Sequence, residues 1–356
     1  MRRLLAPLAI ALAPGLALAQ SPSWSPSNLG AIPGLIDLRA SPHTESGLVA
    51  LTEEGGWRAL ALADGRLVDA GEAPFMGRLA PPEIIPDGRV GVAPGPPPAE
   101  DDPAAARAPS AAWYEGPTRR YAHGALGDAV EAEILQTAFA DRRILAHRLG
   151  GDAVFEDLEP RIVDADGDGA HEVLAIKAYL DRGAAIALYA PNADGDGLAE
   201  IAAGPPIGRA NRWMNPAGVA DFDGDGRPEI AVVDRPHIKG DLVVYRWDGE
   251  SRTIEEVARH PGFSNHANGS VALGLSALVD LDGDGRPELL LPRRDRRALS
   301  ALSLAADGGL TERLRVFNAA APIGSSIVPV DLEKDGATEI VWGLENGAIR
   351  VLRQTD

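Results

Sequence analysis

The sequence has no cysteine, few aromatic residues and, after its first nineteen residues, no long apolar run. Without cysteine the chain forms no disulfide and offers no thiol nucleophile, so its stability has to come from other sources. The aromatic content of 5% is low for a sugar-binding surface. Because no later stretch approaches about eighteen unbroken apolar residues, we expect no membrane span in the mature chain. Neither a Gly-x-Ser-x-Gly elbow nor a phosphate-binding glycine loop is present, so the sequence shows no sign of the enzymes that use them.

Positive charge is also scarce. The 34 Lys and Arg residues face 52 Asp and Glu residues, which gives a formal net charge of −18. Such acidity argues against nucleic acid or an anionic membrane as the partner. We expect the protein to be a monomer. The 356 residues are enough for one large domain or two ordinary ones, with ample length for a packed core.

The N-terminus has the pattern of a secretory signal. Two arginines precede an apolar run that ends on Ala17-Leu18-Ala19, a small-residue cleavage pattern. A membrane anchor is the alternative, but two prolines and a glycine interrupt a run that is too short to span a bilayer. We therefore predict a signal peptide over residues 1–19 and export to the periplasm or the extracellular space. Removal of the two arginines takes the formal charge from −18 to −20.

One nine-residue loop pattern occurs four times. It has acids at positions 1, 3, 5 and 9, and glycines at positions 4 and 6 in three of the four copies. The copies begin at residues 164, 221, 280 and 331, so their spacings are 57, 59 and 51 residues, which indicates stacked or radially arranged units. The candidate metal ligands are Asp164, Asp166, Asp168, Ala170 and Glu172; Asp221, Asp223, Asp225, Arg227 and Glu229; Asp280, Asp282, Asp284, Arg286 and Glu288; and, in the weaker copy, Asp331, Glu333, Asp335 and Glu339.

The chemistry of this loop suits calcium. Glycines at positions 4 and 6 permit the sharp turn that brings the first three acids together, and the carbonyl of position 7 and the glutamate of position 9 complete six or seven oxygen ligands. An EF-hand needs its bidentate glutamate at position 12, where this chain has strand residues. Plain solvated turns are the alternative, but four carboxylates within nine residues repel one another without a cation. We predict three or four structural calcium ions. The count depends on whether the loop at 331–339 binds one, because Lys334 replaces a glycine there.

The segments around the loops predict the fold. A short apolar strand precedes each loop, such as 161–163 before the first and 277–279 before the third, and another follows it. In two units a turn lies 19 residues after the closing glutamate, at Asp248 and Asp307. With almost no helical pattern, this predicts an all-β fold, namely a β-propeller of four-stranded antiparallel blades, with a β-sandwich as the alternative. Counting units gives seven blades. Six is the alternative count, because the mature length divided by the spacing gives about six.

The same spacing predicts the domain organisation. Degenerate blades occupy residues 34–157, with a Pro- and Ala-rich excursion over 93–109, and calcium-loop blades occupy 158–356. In the first degenerate blade Asp37 and Glu45 lie eight residues apart, as the first and last acids of the loops do, which predicts a loop that holds no metal because Arg39 and Ser41 stand at its middle ligand positions. The chain stops after the third strand of its last unit, so the N-terminal segment 20–33 is predicted to supply the strand that closes the ring. Asn192 to Glu200 looks like a fifth metal loop but lies where other units have a hairpin turn, so we interpret it first as a turn and second as a site.

The nine-residue pattern resembles the calcium loops of the FG-GAP/VCBS repeat family, which occurs in integrin α-subunit propellers and many secreted bacterial proteins. The resemblance covers residues 160–345 well and residues 34–160 only through degenerate copies. It implies that the loops lie in the hairpins between the first and second strands of the blades and bind calcium for structural purposes.

A candidate ligand face lies opposite the loops, where the second strand joins the third and where one blade joins the next. The connections there are rich in basic residues, and the candidates for binding a protein or a polar or anionic ligand are Arg212, Trp213, His237, Lys239, Asn265 and His266. Ordinary solvated loop residues are the alternative interpretation. We favour a binding or scaffold module over an enzyme. The competing hypothesis is a propeller hydrolase or lyase with its active site at the central channel.

Overall fold

The computed structural model describes residues 22–355, apart from 74–82, 86–87, 91 and 95–107. The predicted signal peptide and most of the predicted excursion lie outside the described residues. Within them the chain forms β-strands and no helix. In chain order the strands are β1 (Ser23–Ala31), β2 (Leu35–Ala40), β3 (Leu48–Thr52), β4 (Trp57–Ala63), β5 (Arg66–Glu72), β6 (Glu83–Ile85), β7 (Gly88–Val90), β8 (Val92–Pro94), β9 (Pro109–Thr118), β10 (Glu131–Phe139), β11 (Ile144–Arg148), β12 (Ala153–Phe155), β13 (Arg161–Val163), β14 (Glu172–Tyr179), β15 (Gly183–Pro191), β16 (Leu198–Ala203), β17 (Met214–Ala220), β18 (Glu229–Asp234), β19 (Asp241–Asp248), β20 (Thr253–Pro261), β21 (Ala277–Val279), β22 (Glu288–Pro292), β23 (Ala298–Leu304), β24 (Leu310–Phe317), β25 (Ile323–Val330), β26 (Glu339–Leu344) and β27 (Ala348–Thr355).

Antiparallel pairing groups these strands into sheets. Four sheets have four strands each, in the orders β2-β3-β4-β5, β17-β18-β19-β20, β21-β22-β23-β24 and β1-β27-β26-β25. A nine-stranded sheet contains β8 to β11 and β13 to β16, joined through β12, and β6 pairs with β7. The all-β prediction is confirmed, and the sheets are consistent with propeller blades. The count of seven blades, the alternative of six and the closure of the ring stay predictions.

The hydrophobic core lies between successive sheets. Strand β18 shows why, because it is buried along its whole length and its side chains alternate between two cores. Ile230 and Val232 pack with residues of the sheet before it, whereas Ala231 and Val233 pack with residues of the sheet after it. The outer strands are mostly exposed, as in β20 and β24. Sheets that are buried on both faces at their centre therefore stack face to face.

The first strands of consecutive sheets also contact one another. The N–H of Ile327 in β25 donates to the carbonyl of Gly274, just before β21, over 2.8 Å. The N–H of Ser326 in β25 donates to Asp37 Oδ1 in β2 over 2.8 Å. This bond joins the sheet β1-β27-β26-β25 to the sheet β2-β3-β4-β5. Neighbouring sheets are thus linked at this edge by hydrogen bonds as well as by apolar packing.

Strand β1 completes the sheet of the last three strands. It pairs antiparallel with β27, from Ser23 opposite Thr355 to Asn28 opposite Arg350. Leu29 is 1% exposed and packs in the core that this sheet shares with β2 to β5. The fourth strand of this sheet therefore comes from the N-terminal segment, whereas the predicted role of residues 20–33 in closing a ring stays a prediction.

Two upstream features differ from the sequence analysis. Strand β9 was missed, because its flanking Pro and Ala residues hide a strand whose Tyr114 and Trp113 pair with Leu135 and Gln136 of β10. Asp37, which the spacing placed at the start of a degenerate loop, lies inside β2.

Among the described residues no helix is long and apolar enough to cross a membrane.

Candidate metal centre and ligand face

The first loop runs from Asp164 to Glu172, between β13 and β14. The Asp164 carboxylate accepts hydrogen bonds from the N–H groups of Gly167 (2.7 Å) and Gly169 (3.1 Å). Glu172 Oε2 accepts from the N–H of Ala165 over 3.1 Å. Because each carboxylate is held by backbone donors, the loop folds around its own acids and directs them to a common centre.

The same two bonds recur in all four loops. The N–H of position 6 donates to the acid of position 1, from Gly169, Gly226, Gly285 and Gly336, over 3.1, 2.9, 2.9 and 3.1 Å. The N–H of position 2 donates to the glutamate of position 9, from Ala165, Phe222, Leu281 and Leu332, over 3.1, 3.0, 2.9 and 2.8 Å. One sequence pattern thus produces one local backbone arrangement in four places.

In three loops the carboxylate oxygens lie at a spacing that fits a metal ion. One oxygen from each of three acids lies within 4.8 Å of the other two, in the groups Asp164, Asp166 and Glu172; Asp221, Asp223 and Asp225; and Asp280, Asp282 and Glu288. Two oxygens bound to one calcium ion at about 2.3–2.6 Å are at most about 5 Å apart. These all-oxygen groups therefore fit calcium. In the described part of the chain, neither the loop at 331–339 nor the turn at 192–200 forms such a group.

The electrostatics of the first loop show the cost of its charges. Burial raises the pKa of Glu172 to about 7, and the nearby Asp166 and Asp168 carboxylates add to the rise. Burial likewise raises the pKa of Asp166, again with a contribution from Asp168. Acids whose protonated form is favoured in this way are stabilised as carboxylates by a bound cation.

In the first three loops the backbone N–H of position 7 donates a hydrogen bond to the carboxylate of position 5. The N–H groups of Ala170, Arg227 and Arg286 donate to Asp168, Asp225 and Asp284 over 2.7, 2.9 and 2.8 Å. The Arg286 guanidinium also pairs with Asp284, and this hydrogen bond lowers the pKa of that acid. The prediction that the three carbonyls of position 7 bind the ion stays a prediction.

The three loops lie side by side. A Cβ added at Gly167 in the first loop would lie 3.1 Å from Pro228 Cδ and 3.3 Å from Gly226 O in the second. A Cβ added at Gly224 in the second loop would lie 2.8 Å from Arg286 Cδ in the third. The candidate metal sites therefore form one continuous strip at one end of the sheets, and glycine is needed where the loops touch.

The segment 192–200 is the turn between β15 and β16. Asn192 Oδ1 accepts hydrogen bonds from the N–H groups of Asp196 (3.1 Å) and Gly197 (3.3 Å), and Gly195 has a φ of +70°. The Asn amide here organises a hairpin turn, which is the first of the two interpretations of the sequence.

At the opposite end of the sheets, three of the six predicted face residues converge. The Trp213 ring stacks on His237 with ring centroids 5.8 Å apart and meets His266 edge-on at 4.8 Å. His266 Nε2 lies 3.0 Å from the Ser270 carbonyl, so this nitrogen carries a proton and Nδ1 accepts from His237 Nε2 over 2.7 Å. Burial lowers the pKa of His237 to about 4 and that of His266 to about 3, which keeps both rings neutral at pH 7.

The other three predicted residues are held elsewhere. Lys239 Nζ pairs with Asp241 at 2.5 Å, and Arg212 donates to the carbonyl of Asn211 at 2.5 Å. Asn265 is fully buried and donates to the carbonyls of Asn215 (3.2 Å) and Pro216 (3.1 Å), so it links two sheets.

An acid and an imidazole that the sequence did not indicate lie next to this cluster. Trp213 Nε1 donates to the Glu156 carbonyl over 2.8 Å, and the Glu156 side chain contacts His123 Nδ1. Glu156 is 0% exposed, its Oε2 has no hydrogen-bond partner among the described residues, and burial raises its pKa. Nothing in the spacing indicated these residues, because they come from the degenerate unit before the first loop.

A cavity of about 190 Å³ lies among the first strands of three sheets. Its charged lining residues are Glu159 and Arg161. Glu159 pairs with Arg39 of β2 at 3.3 Å, and Arg161 pairs with Asp157, whose pKa burial raises to about 6. The charges at this position are thus engaged in ion pairs within the protein.

Among the comparisons with known proteins, one family model matches the loop pattern. No curated protein matches the chain. One solved structure that resembles it is an auxiliary nutrient binding protein from Bacteroides thetaiotaomicron, with 10% identity, a TM-score of 0.45 and coverage of 92% of this chain and 70% of that one. Another is a protein from Lactobacillus plantarum, with 15% identity, a TM-score of 0.40 and coverage of 90% and 81%. A family model described as an FG-GAP-like repeat matches residues 164–232 and 221–291. The segment that carries the three carboxylate groups therefore consists of FG-GAP-like repeats.

Proposed function

We propose that this protein is an exported, calcium-stabilised β-propeller that acts as a binding module for a protein or polar ligand of negative charge. The observation that carries the proposal is a cluster of three acids that recurs in three adjacent loops of FG-GAP-like repeats. In each cluster one carboxylate oxygen from each acid lies within 4.8 Å of the other two. Export supplies the setting, since calcium is millimolar outside the cytoplasm and affinities of roughly 10⁻⁴–10⁻³ M then suffice.

Calcium has a structural role in this proposal. The ion neutralises carboxylates that sit between two strands, and it binds only the folded loop, so it stabilises the native state. In the first loop Asp164, Asp166 and Glu172 would hold it, and in the third loop Asp280, Asp282 and Glu288. No chemistry on a substrate is assigned to the ion.

The charge of the opposite face supports an anionic partner. The guanidinium groups of Arg212, Arg294 and Arg297 donate to the carbonyls of Asn211 (2.5 Å), Ile238 (2.5 Å) and Ala319 (3.1 Å). None of the three forms an ion pair with an acid in the described part of the chain. In a protein with a net charge of −18, such unneutralised arginines mark a surface that attracts negative charge.

Binding is favoured over turnover by the internal contacts of the ionisable groups. Two charged residues line the cavity among the first strands. Glu159 forms an ion pair with Arg39, and Arg161 forms one with Asp157. The His237–His266 pair is fixed by hydrogen bonds at both ends of His266. The proposal therefore assigns these groups no proton transfer to a substrate.

A charge-reversal experiment tests the binding face. The probe is fluorescent poly-glutamate, and the measurement is its anisotropy at two salt concentrations. Arg294→Glu with Arg297→Glu is expected to weaken binding by more than about tenfold and to reduce the salt dependence. The control pair is Arg142→Glu with Arg252→Glu, in exposed turns at the loop end of the sheets, and it should change binding by less than about twofold. Equal losses in both pairs, or no binding by the wild type, contradict an anionic partner at this face.

A further inference from the structure

The four loops share a backbone arrangement but face different residues on the third strand of their sheets. In the second loop the register places Arg246 directly opposite the closing Glu229. In the other three sheets the neighbouring pairs are Val173–Tyr189, Leu289–Leu302 and Ile340–Leu352. The first residue of each pair directly follows the closing glutamate, so the residue opposite that glutamate is the one after the second member of the pair. The residues opposite the four closing glutamates are, in chain order, Ala190, Arg246, Ser303 and Arg353.

Arg246 places a guanidinium among the carboxylates of the second loop. It contacts Asp223 Oδ2 at 2.9 Å and Asp225 Oδ2 at 3.4 Å, and it donates to Glu229 Oε1. The Asp223 and Glu229 side chains are only 5% and 4% exposed, so these ion pairs are shielded from water. Three of the four acids of this loop therefore already have a positive partner, and a calcium ion would have to displace it.

Arg353 pairs with one acid of the fourth loop. Its guanidinium donates to Glu333 Oε1 at position 3 over 3.2 and 3.0 Å. This bond engages the longer acid at position 3, and next to it Lys334 adopts a φ of +60° in place of the glycine of the other copies. No group of three converging acids is found in this loop among the described residues.

The first and third loops lack this internal cation. The methyl group of Ala190 offers no polar contact to Glu172. In the third loop the neutral Ser303 hydroxyl donates to Glu288 Oε1 over 2.7 Å. Arg286 forms its ion pair with Asp284 and is 43% exposed at the rim, and Asp280, Asp282 and Glu288 form no ion pair with an arginine or lysine among the described residues.

We infer that the guanidinium of the third strand replaces calcium in the second and fourth loops, so that the protein binds two calcium ions, at the first and third loops. The inference rests on the proposed role of calcium and assigns that role to particular loops. The residue opposite the closing glutamate thus decides whether a loop takes a metal ion or an internal arginine.

Two reciprocal substitutions test this assignment by isothermal titration of calcium into the metal-stripped full chain. The wild type is expected to bind two ions. Arg246→Ser copies the third loop into the second and should raise the count to three. Ser303→Arg copies the second loop into the third and should lower the count to one, or weaken that site by more than about tenfold. Arg182→Ser, in the exposed turn between β14 and β15 at the opposite end of the sheets, removes the same charge away from the loops and should leave two ions bound.

The possible results separate the inference from the proposed function. No calcium binding by the wild type overturns both the calcium proposal and the inference. Three or four ions of similar affinity in the wild type overturn the inference alone, and so does a count that neither substitution changes. If Arg246→Ser does not fold, Ser303→Arg still decides, because it adds a residue that the second loop already accommodates. Retention of two equally tight ions in that variant contradicts the inference.

Discussion

Removal of calcium should lower the thermal stability of this protein by a predictable amount. The first loop holds four carboxylates, and no arginine or lysine forms an ion pair with them within the described residues. In the folded state backbone N–H groups hold these acids together, whereas the unfolded chain lets them separate. Calcium therefore binds the native state alone and shifts the folding equilibrium toward it.

The size of the effect follows from the number of sites. At a free calcium concentration about 100 times Kd, each site adds about 2.7 kcal/mol to the free energy of unfolding. Two sites, the first and third loops, then add about 5.4 kcal/mol. With an unfolding entropy of about 2.1 cal/mol/K per residue over about 330 residues, this raises the melting temperature by about 8 °C.

Differential scanning calorimetry of the EDTA-treated chain, with and without 10 mM calcium, is the direct assay. At a Kd of about 10⁻⁴ M this concentration corresponds to the ratio used above. Asp164→Asn with Asp166→Asn should halve the calcium-dependent rise. Asp194→Asn with Asp196→Asn removes the same charge from the look-alike hairpin turn and should leave the rise intact. A melting temperature that calcium does not change would refute the reasoning, and an equal rise with magnesium would refute the choice of ion.

Three further predictions follow from other parts of the molecule. Leu29→Ala should lower the free energy of unfolding in urea by about 2–5 kcal/mol because Leu29 is buried between two sheets, whereas the exposed Ser25→Ala should change it little; equal effects would contradict the packing of β1. His266 has a folded-state pKa of about 3, below its unfolded value of 6.5, so its contribution to stability is complete above pH 6.5 and is lost as the pH falls toward 3. The destabilisation by His266→Asn should therefore be about 2 kcal/mol smaller at pH 5 than at pH 8 in urea titrations, and a difference that does not vary with pH would contradict the burial of a neutral ring. Mass spectrometry of the protein from cell fractions should find a mature N-terminus at Gln20 outside the cytoplasm, and an intact leader there would contradict cleavage after Ala19.

The loops and the strands beside them were predictable because their determinants are local. Glycine at positions 4 and 6 and acids at positions 1, 3 and 5 fix the turn, and the apolar residues on either side fix the strands. Strands β13 (Arg161–Val163) and β21 (Ala277–Val279) have the bounds that the sequence analysis gave them. The turn at Asn192 was also separable from the metal loops, since its position in the repeat is that of a hairpin.

Upstream of residue 158 the repeat is too degenerate for this reasoning. Asp37 has the right distance to Glu45 for a loop, but its carboxylate is 1% exposed and accepts the N–H groups of Leu38 (2.9 Å) and Ser326 (2.8 Å). The partner of this acid is nearly three hundred residues away, and spacing within one unit carries no information about it. An acid that joins two sheets was therefore mistaken for a loop position.

The ligand face was predictable only in outline. The alternation of connections along antiparallel strands places Trp213, His237 and His266 at the same end of the sheets, and the structure brings their rings into contact. It also brings in Glu156 and His123, which come from another sheet. Such contacts depend on how neighbouring sheets stack, which a repeat pattern does not encode.

The charge balance of the loops shows why identical motifs need not be identical sites. Arg246 reaches Glu229 from 17 residues away, and Ser303 reaches Glu288 from 15 residues away, because the hairpins between the second and third strands differ in length. No fixed offset in the sequence therefore locates the residue opposite the closing glutamate, although the register of the strands locates it at once. Since Asp223 and Glu229 are almost fully buried, removal of Arg246 leaves them as uncompensated charges unless a cation takes its place. The second loop therefore depends on a cation as the first does, and the difference lies in whether the chain or the solvent supplies it.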